Sequence, residues 1–214
     1  MYAEFIDKEV EDYTEHHSDQ EPALLQELNR ETNLKVLKPR MLAGSYQGRL
    51  LSIISKIKSP KYILEIGTYT GYSALCWLEG LQRDGELHTI DNNEELERMV
   101  QRYFSQADHD KRIHHHLGNA LNVIPKINRP WDIVFLDADK ENYLNYYKLL
   151  IDDLAPGALI VADNVLWSGK VLDASAKDKD TVSLRAFNEY IRKDSRVSKV
   201  MLPVRDGITL IVKN

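Results

Sequence analysis

One cysteine, Cys76, stands among 214 residues. No intrachain disulfide can form, and such a chain belongs in a reducing compartment. The setting of Cys76, YSALCWLEGL, reads as a helix face, which puts the thiol in the core rather than at a reactive site. No apolar run approaches the roughly 18–20 residues that cross a bilayer. The opening, MYAEFIDKEVEDYTEHH, is acidic and lacks the apolar stretch of a secretory signal. A cytoplasmic protein with no membrane segment is expected. A dominant charge sign is also missing. The chain has 28 Lys and Arg against 33 Asp and Glu, a net charge of -5, and so no global attraction for nucleic acid. There is no repeat, no low-complexity linker, no G-x-S-x-G elbow and no Cys–His pair that would serve a covalent nucleophile. With 43% hydrophobic residues, one domain spanning 1–214 can bury a sizeable core.

From residue 61 onward, short apolar runs alternate with longer amphipathic ones. YILEIG (62–67), ELHTID (86–91), RIHHHLG (112–118), DIVFLD (132–137) and ALIVAD (158–163) predict strands. Helices are predicted around 71–82, 93–106, 120–126, 142–154 and 181–194. Such alternation implies an α/β fold, a parallel sheet with helices on both faces. VSKVMLP (197–203) and GITLIVK (207–213) bring the strands to seven. Only VRDG joins these two, too short for a crossover, so the final strand must run antiparallel. Helices near 3–16, 22–31 and 46–58 lie outside the alternation. They make residues 1–60 a helical cap or lid on a catalytic core of 61–214.

LEIGTYTGYSAL (64–75) is a strand, a glycine turn and a helix start. Gly67 and Gly71 can take backbone angles closed to other residues and let a ligand approach the main chain. A two-glycine turn alone is equally a structural turn. Glu65 shifts the balance, because a carboxylate there repels a pyrophosphate and suits a ligand carrying ammonium and sulfonium charges. Asp91 ends the next strand, where an acid can accept both hydroxyls of a ribose. Together they favour S-adenosyl-L-methionine over a nicotinamide dinucleotide.

VFLDADKENY (134–143) runs from a buried strand into Asp137, Asp139, Lys140 and Glu141. Ligands of an open parallel sheet sit beyond the carboxyl ends of its strands. Asp137 ends one strand, and Asp163 and Asn164 of VADN end the next. Strands lie about 4.8 Å apart, so the three side chains can converge. Two carboxylates and an amide are hard ligands that suit Mg²⁺, Mn²⁺ or Ca²⁺. Strand-end acids can also cap the following helix, a reading that fits Asp139 well.

EIGTYTGYS, TIDNNEE, GNAL, FLDADKENYLNYY, VADNVLW and LPVRDGITL resemble the metal-dependent class I O-methyltransferases of the catechol and caffeoyl-CoA type, from about residue 39 onward. The resemblance implies the Rossmann-like class I methyltransferase fold, a homodimer, and methyl transfer from S-adenosyl-L-methionine to one of two vicinal hydroxyls. By position, it implies that Asp137, Asp163 and Asn164 hold the metal and that Lys140 is the catalytic base. Met41, Glu65, Gly67, Tyr69 and Gly71 fall at cofactor positions, as do Ser73, Asp91, Ala120, Asp137 and Asp139. Met41, Lys140 and Trp167 fall on the substrate side. A lysine beside a metal and a sulfonium is disfavoured in its cationic form, which makes it available as a base. The segment SGKVLDASAKDKDTV (168–182) carries no recognisable acyl-CoA signature, which argues for a small phenolic acceptor.

Three other features carry weaker signals. In HHH (114–116) only His114 and His116 share a strand face, and no third soft ligand lies nearby in sequence, so a partly buried or solvated strand is expected rather than a zinc site. The tyrosines of ENYLNYY recur at helical spacing and are mainly core, with Tyr143 within reach of the crevice. Residues 30–61 hold Arg30, Lys35, Lys38, Arg40, Arg49, Lys56, Lys58 and Lys61 against one acid, Glu31. Such a run is usually a solvated helix face. It also leaves open a tRNA acceptor, a hydroxylated uridine, as a second function. A non-catalytic adenosyl-binding module is a third, disfavoured by the intact ligand set and Lys140.

Overall fold

The computed structural model describes residues 6–108 and 111–214. Seven strands form one sheet: β1 (Tyr62–Ile66), β2 (Glu86–Asp91), β3 (Ile113–Leu117), β4 (Ile133–Leu136), β5 (Leu159–Asp163), β6 (Val197–Leu202) and β7 (Ile208–Lys213). Their order is β3-β2-β1-β4-β5-β7-β6. The first five pair in parallel, while β7 runs antiparallel to both β5 and β6, as the four-residue connection requires. The chain reverses its direction of spread between β1 and β4. A crevice opens there, above the carboxyl ends of the strands.

Eight α-helices accompany the sheet among the described residues: α1 (Lys8–His16), α2 (Ala23–Lys35), α3 (Gly44–Lys58), α4 (Tyr72–Leu78), α5 (Glu97–Ala107), α6 (Ala120–Val123), α7 (Tyr143–Leu150) and α8 (Lys179–Lys193). The expected helix near 3–16 begins outside the described residues. Two apolar cores line the two faces of the sheet. One joins Leu64, Val134 and Ile160 to α7 and α8 through Tyr143, Tyr147 and Phe187. The other joins Ile63, Phe135 and Val161 to the side of α2, α3 and α4 through Leu28, Leu51 and Trp77. Alternate residues of each buried strand thus serve opposite cores. Cys76 is buried in the second core, where its thiol pKa is pushed up by desolvation. No helix of the described residues is long and apolar enough to cross a membrane.

Several helix ends differ from the sequence expectation. α4 stops at Leu78 rather than near 82, because the chain must pass the backbone of α3. A Cβ on Gly80 would lie 2.1 Å from the Ser55 carbonyl carbon, and Ser55 Oγ donates to the Trp77 carbonyl at 2.6 Å. α8 starts at Lys179, where the Asp178 carboxylate accepts from the Thr181 amide at 3.1 Å and caps the first turn. α7 is preceded by a tight 3-10 turn, Lys140–Asn142, that folds Lys140 back over the strand ends.

The crevice floor is set by an approach of two backbones. Gly67 has φ +105°, and a Cβ there would sit 1.9 Å from the Asp137 carbonyl oxygen. Gly67→Ala is therefore expected to cost about 3–4 kcal/mol, since the disfavoured φ and the clash add. Gly157→Ala provides the comparison, since Gly157 has φ +84° with nothing within 4 Å of the new Cβ. It should cost only about 1–2 kcal/mol for its φ. Urea midpoints at unchanged slope measure both. Equal losses would show that the Gly67–Asp137 approach has slack.

Candidate active site

The end of β1 carries Glu65, fully buried, which accepts from Thr89 Oγ1 at 2.5 Å. Its other oxygen, Oε1, is buried without a partner. Burial drives the Glu65 pKa up to about 8 against the pull of the Thr89 and Ser73 hydroxyls, with Asp137 and Asp91 adding to the rise. A carboxyl in this state is ready for a cationic ligand. Asp91, ending β2, accepts from the Tyr69 amide at 2.7 Å and from the Asn93 amide at 2.9 Å. The first of these bonds holds Tyr69 at φ +49°, and Gly71 follows at φ +89° as the N-cap of α4. A Cβ on Gly71 would meet the Phe104 ring at 2.6 Å. Ala120, the first residue of α6, is buried.

Across the crevice, Lys140 is 6% exposed. Its Nζ donates to Asp137 Oδ1 at 3.1 Å, Asn164 Oδ1 at 2.8 Å and Tyr143 Oη at 2.6 Å. An ammonium has three hydrogens, and all three are used. The Tyr143 hydroxyl in turn reaches the Leu136 and Asp163 carbonyls, each at 3.0 Å, tying the lysine to the ends of β4 and β5. Tyr143 is thus more central than its helical spacing implies. The Trp167 ring lies 5.8 Å from Nζ, and Trp167 itself is held at φ +50°.

Asp163 is buried beside this cation but bonds elsewhere. Its carboxylate accepts from the Asn164 amide at 2.7 Å and from Gln47 Nε2 of α3. Burial and then the Asp137 charge push its pKa up, against the pull of Lys140. Asp139 is exposed and stands at the N-cap position of the 3-10 turn without a capping side-chain bond. Its carboxylate accepts instead from Tyr146 Oη at 2.5 Å and from Asn142. Met41, 52% exposed, ends a 3-10 turn over 39–41.

Two residues of this constellation are absent from the sequence reading. Gln47 lies 116 positions before the carboxylate it holds, and only its place on α3 brings the two together. Asp206, buried in the β6–β7 turn, accepts from the Ser168 amide and fixes the loop that carries Trp167. The acid on a strand-flanking turn was the only available sign.

Four of the eight basic residues over 30–61 are committed to ion pairs. Lys35 bonds Glu31 at 3.0 Å, Arg49 and Lys56 bond Glu79 at 2.6 and 2.9 Å, and Lys61 bonds Asp84 at 2.6 Å. The strand of His114–His116 is partly buried, as expected. His88 of β2 stands in register with His114.

Residues 14–214 match the family model of the O-methyltransferases. A tobacco caffeoyl-CoA O-methyltransferase 1 is 37% identical over 203 residues, covering 89% of this chain and 84% of its own. The methyltransferase PaMTH1 of Podospora anserina, solved with SAH, superposes with a TM-score of 0.88 at 27% identity, covering 98% of this chain and 97% of its own. An O-methyltransferase from Bacillus cereus, also solved with SAH, gives 0.87 at 28% identity, with 96% and 97% covered. The sheet order and the antiparallel β7 are those of the Rossmann-like methyltransferase fold that the sequence motifs resemble. The chain belongs to the O-methyltransferase family, whose members pass a methyl group from S-adenosyl-L-methionine to oxygen.

Proposed function

We propose that this chain methylates one hydroxyl of a vicinal diphenol, taking the methyl group from S-adenosyl-L-methionine and using a hard divalent cation, Mg²⁺, Mn²⁺ or Ca²⁺, at Asp137, Asp163 and Asn164. The observation that carries it is the positive charge of Lys140 lodged against Asp137 and Asn164, with Asp163 buried in the next strand. The donors are all oxygen, and Asp163 feels the charge of Asp137, which fits a dication. When bound, such a cation polarises a diol oxygen and makes its proton more acidic. The caffeoyl group named in the relatives is itself a vicinal diphenol.

The chain's own residues supply the remaining steps. Glu65 meets the ammonium and sulfonium charge of the cofactor, and Asp91 at the end of β2 accepts from its ribose. Trp167 and Met41 flank the acceptor. Lys140, when neutral, takes the hydroxyl proton onto Nζ, where the Tyr143 hydroxyl at 2.6 Å remains a partner for it. With Lys35, Arg49, Lys56 and Lys61 already paired, a tRNA acceptor draws less support. Exposed Leu34, Leu37, Ile53 and Ile57 offer apolar surface for the homodimer that the family resemblance implies.

Chelation should abolish turnover of a catechol, and Mg²⁺ or Mn²⁺ should restore it. Full activity of Asp163→Ala after exhaustive chelation would end the metal assignment. Lys140→Ala should lower kcat by about 10²-fold or more, as for a lost general base, while metal affinity rises because Asp137 and Asn164 are released. A variant with parental kcat across the pH range would remove Lys140 from proton transfer.

Glu65 generates a separate prediction. Its pKa lies above the ordinary carboxyl value of 4.5, so its burial costs the ligand-free protein stability as pH rises from there to about 8. The cationic cofactor favours the ionised form. Its affinity should therefore climb with pH up to about 8 and level off, with proton release on binding. Calorimetry in two buffers of different ionisation enthalpy measures that proton. Glu65→Gln should weaken binding and flatten the climb. An unchanged pH profile would place the titrating group elsewhere.

A further inference from the structure

At the opposite end of the sheet, four side chains that methyl transfer does not use meet on one face. His88 and His114 are register partners on β2 and β3, and the two-residue strand period puts Glu86 and His116 on the same face. One ligand atom from each of Glu86, His88 and His114 lies within 4.8 Å of the other two. His88 is buried, with Nε2 at 3.0 Å from Glu86 Oε2 and Nδ1 at 3.0 Å from His116 Nε2. The Trp131 ring closes the apolar side edge-on, 5.5 Å from the His88 ring. About 10 Å of strand separates His88 from Asp91 at the crevice, three residues at about 3.3 Å each.

We propose that Glu86, His88 and His114 form a second metal site, for a borderline transition-metal dication such as Zn²⁺, that clips the edge strand β3 to β2. Two imidazoles and a carboxylate suit Zn²⁺, Co²⁺, Ni²⁺ or Cu²⁺, whereas Mg²⁺ and Ca²⁺ take oxygen.

His116 serves as the outer partner that orients a metal-binding imidazole. In the metal-free protein the Glu86 carboxylate keeps the His88 proton on Nε2, and His88 Nδ1 accepts from His116 Nε2. With metal at His88 Nε2, both rings change tautomer. His88 then carries its proton on Nδ1 and donates to His116 Nε2, and His116 carries its own on Nδ1, so the number of bound protons is unchanged.

Tetrahedral Zn²⁺ with bonds of about 2.0–2.1 Å places its donors about 3.4 Å apart. Glu86 and His88 already stand near that spacing, and His114 closes the remainder from the sheet edge. The partial exposure of Glu86 and His114 leaves the fourth position to water. Arg129 Nε now holds Glu86 Oε2 at 2.7 Å, in an ion pair exposed enough to be weak. The displaced guanidinium keeps a second partner, the Tyr62 ring, 5.8 Å from its Cζ.

The experiment uses the intact, exhaustively chelated chain. Zn²⁺ at about a hundredfold excess over its Kd should raise the Tm by about 5–10 °C. Co²⁺ should give the intense visible absorption of a tetrahedral site, and Asp163→Ala should keep it, which separates this site from the crevice. His114→Gln and Glu86→Gln change partly exposed side chains and leave the buried His88 in place. Each should lose about 100-fold or more in Zn²⁺ affinity, beyond the 10- to 100-fold of an outer partner. No Tm rise in the parent, or equal rises in the parent and His114→Gln, would overturn the site, as would a Co²⁺ spectrum abolished by Asp163→Ala.

Discussion

The crevice depends on one interaction, the buried ammonium of Lys140 held by Asp137, Asn164 and Tyr143. Parallel strands end here in carboxylates that the apolar core cannot solvate, and an unpaired charge at such depth costs several kcal/mol. The lysine offsets that cost with three directed hydrogen bonds and links the ends of β4 and β5 through the Tyr143 hydroxyl. Around it, Gln47 holds the carboxylate that the ammonium does not reach. The Gly67 approach keeps Asp137 close to β1. The same group that stabilises the ligand-free crevice is thus the one proposed to move a proton.

Much of this was legible in the sequence, because strands of a parallel sheet end at one level. Asp137, Asp163 and Asn164 could be placed together from their positions at strand ends, and the antiparallel β7 followed from a connection too short to cross over. What could not be read came from packing between distant segments. Gln47 meets Asp163, and Asp206 meets Ser168, across intervals that no local period encodes. The early end of α4 comes from the α3 backbone pressing on Gly80. His88 was missed for a related reason. A search along one strand for a third ligand overlooks the strand beside it.

The sheet therefore carries two kinds of donor at its two ends. Beyond the carboxyl ends stand oxygens and an ammonium, suited to a hard cation and to charge that forms during reaction. Near the amino ends of β2 and β3 stand imidazoles and a carboxylate, suited to a softer ion that holds two strands together. The physical difference is burial. The crevice has to exclude water around changing charge, while in the histidine cluster only His88 is buried and Glu86 and His114 are partly exposed.

The strand order has a consequence for how the chain reaches this state. β6 pairs only with β7, and β7 fills the place beside β5. Val197–Leu202 precedes Ile208–Lys213 in the chain, yet it joins the sheet only through β7, which must first lie beside β5. Its own residues guard against pairing there. Lys199 stands among Ser198, Val200 and Met201 on a strand exposed over most of its length, whereas β7, beside β5, sends Ile208 into one core and Ile211 into the other. β6 is thus the outermost strand of the sheet, and an exposed lysine on such an edge disfavours pairing with a further strand.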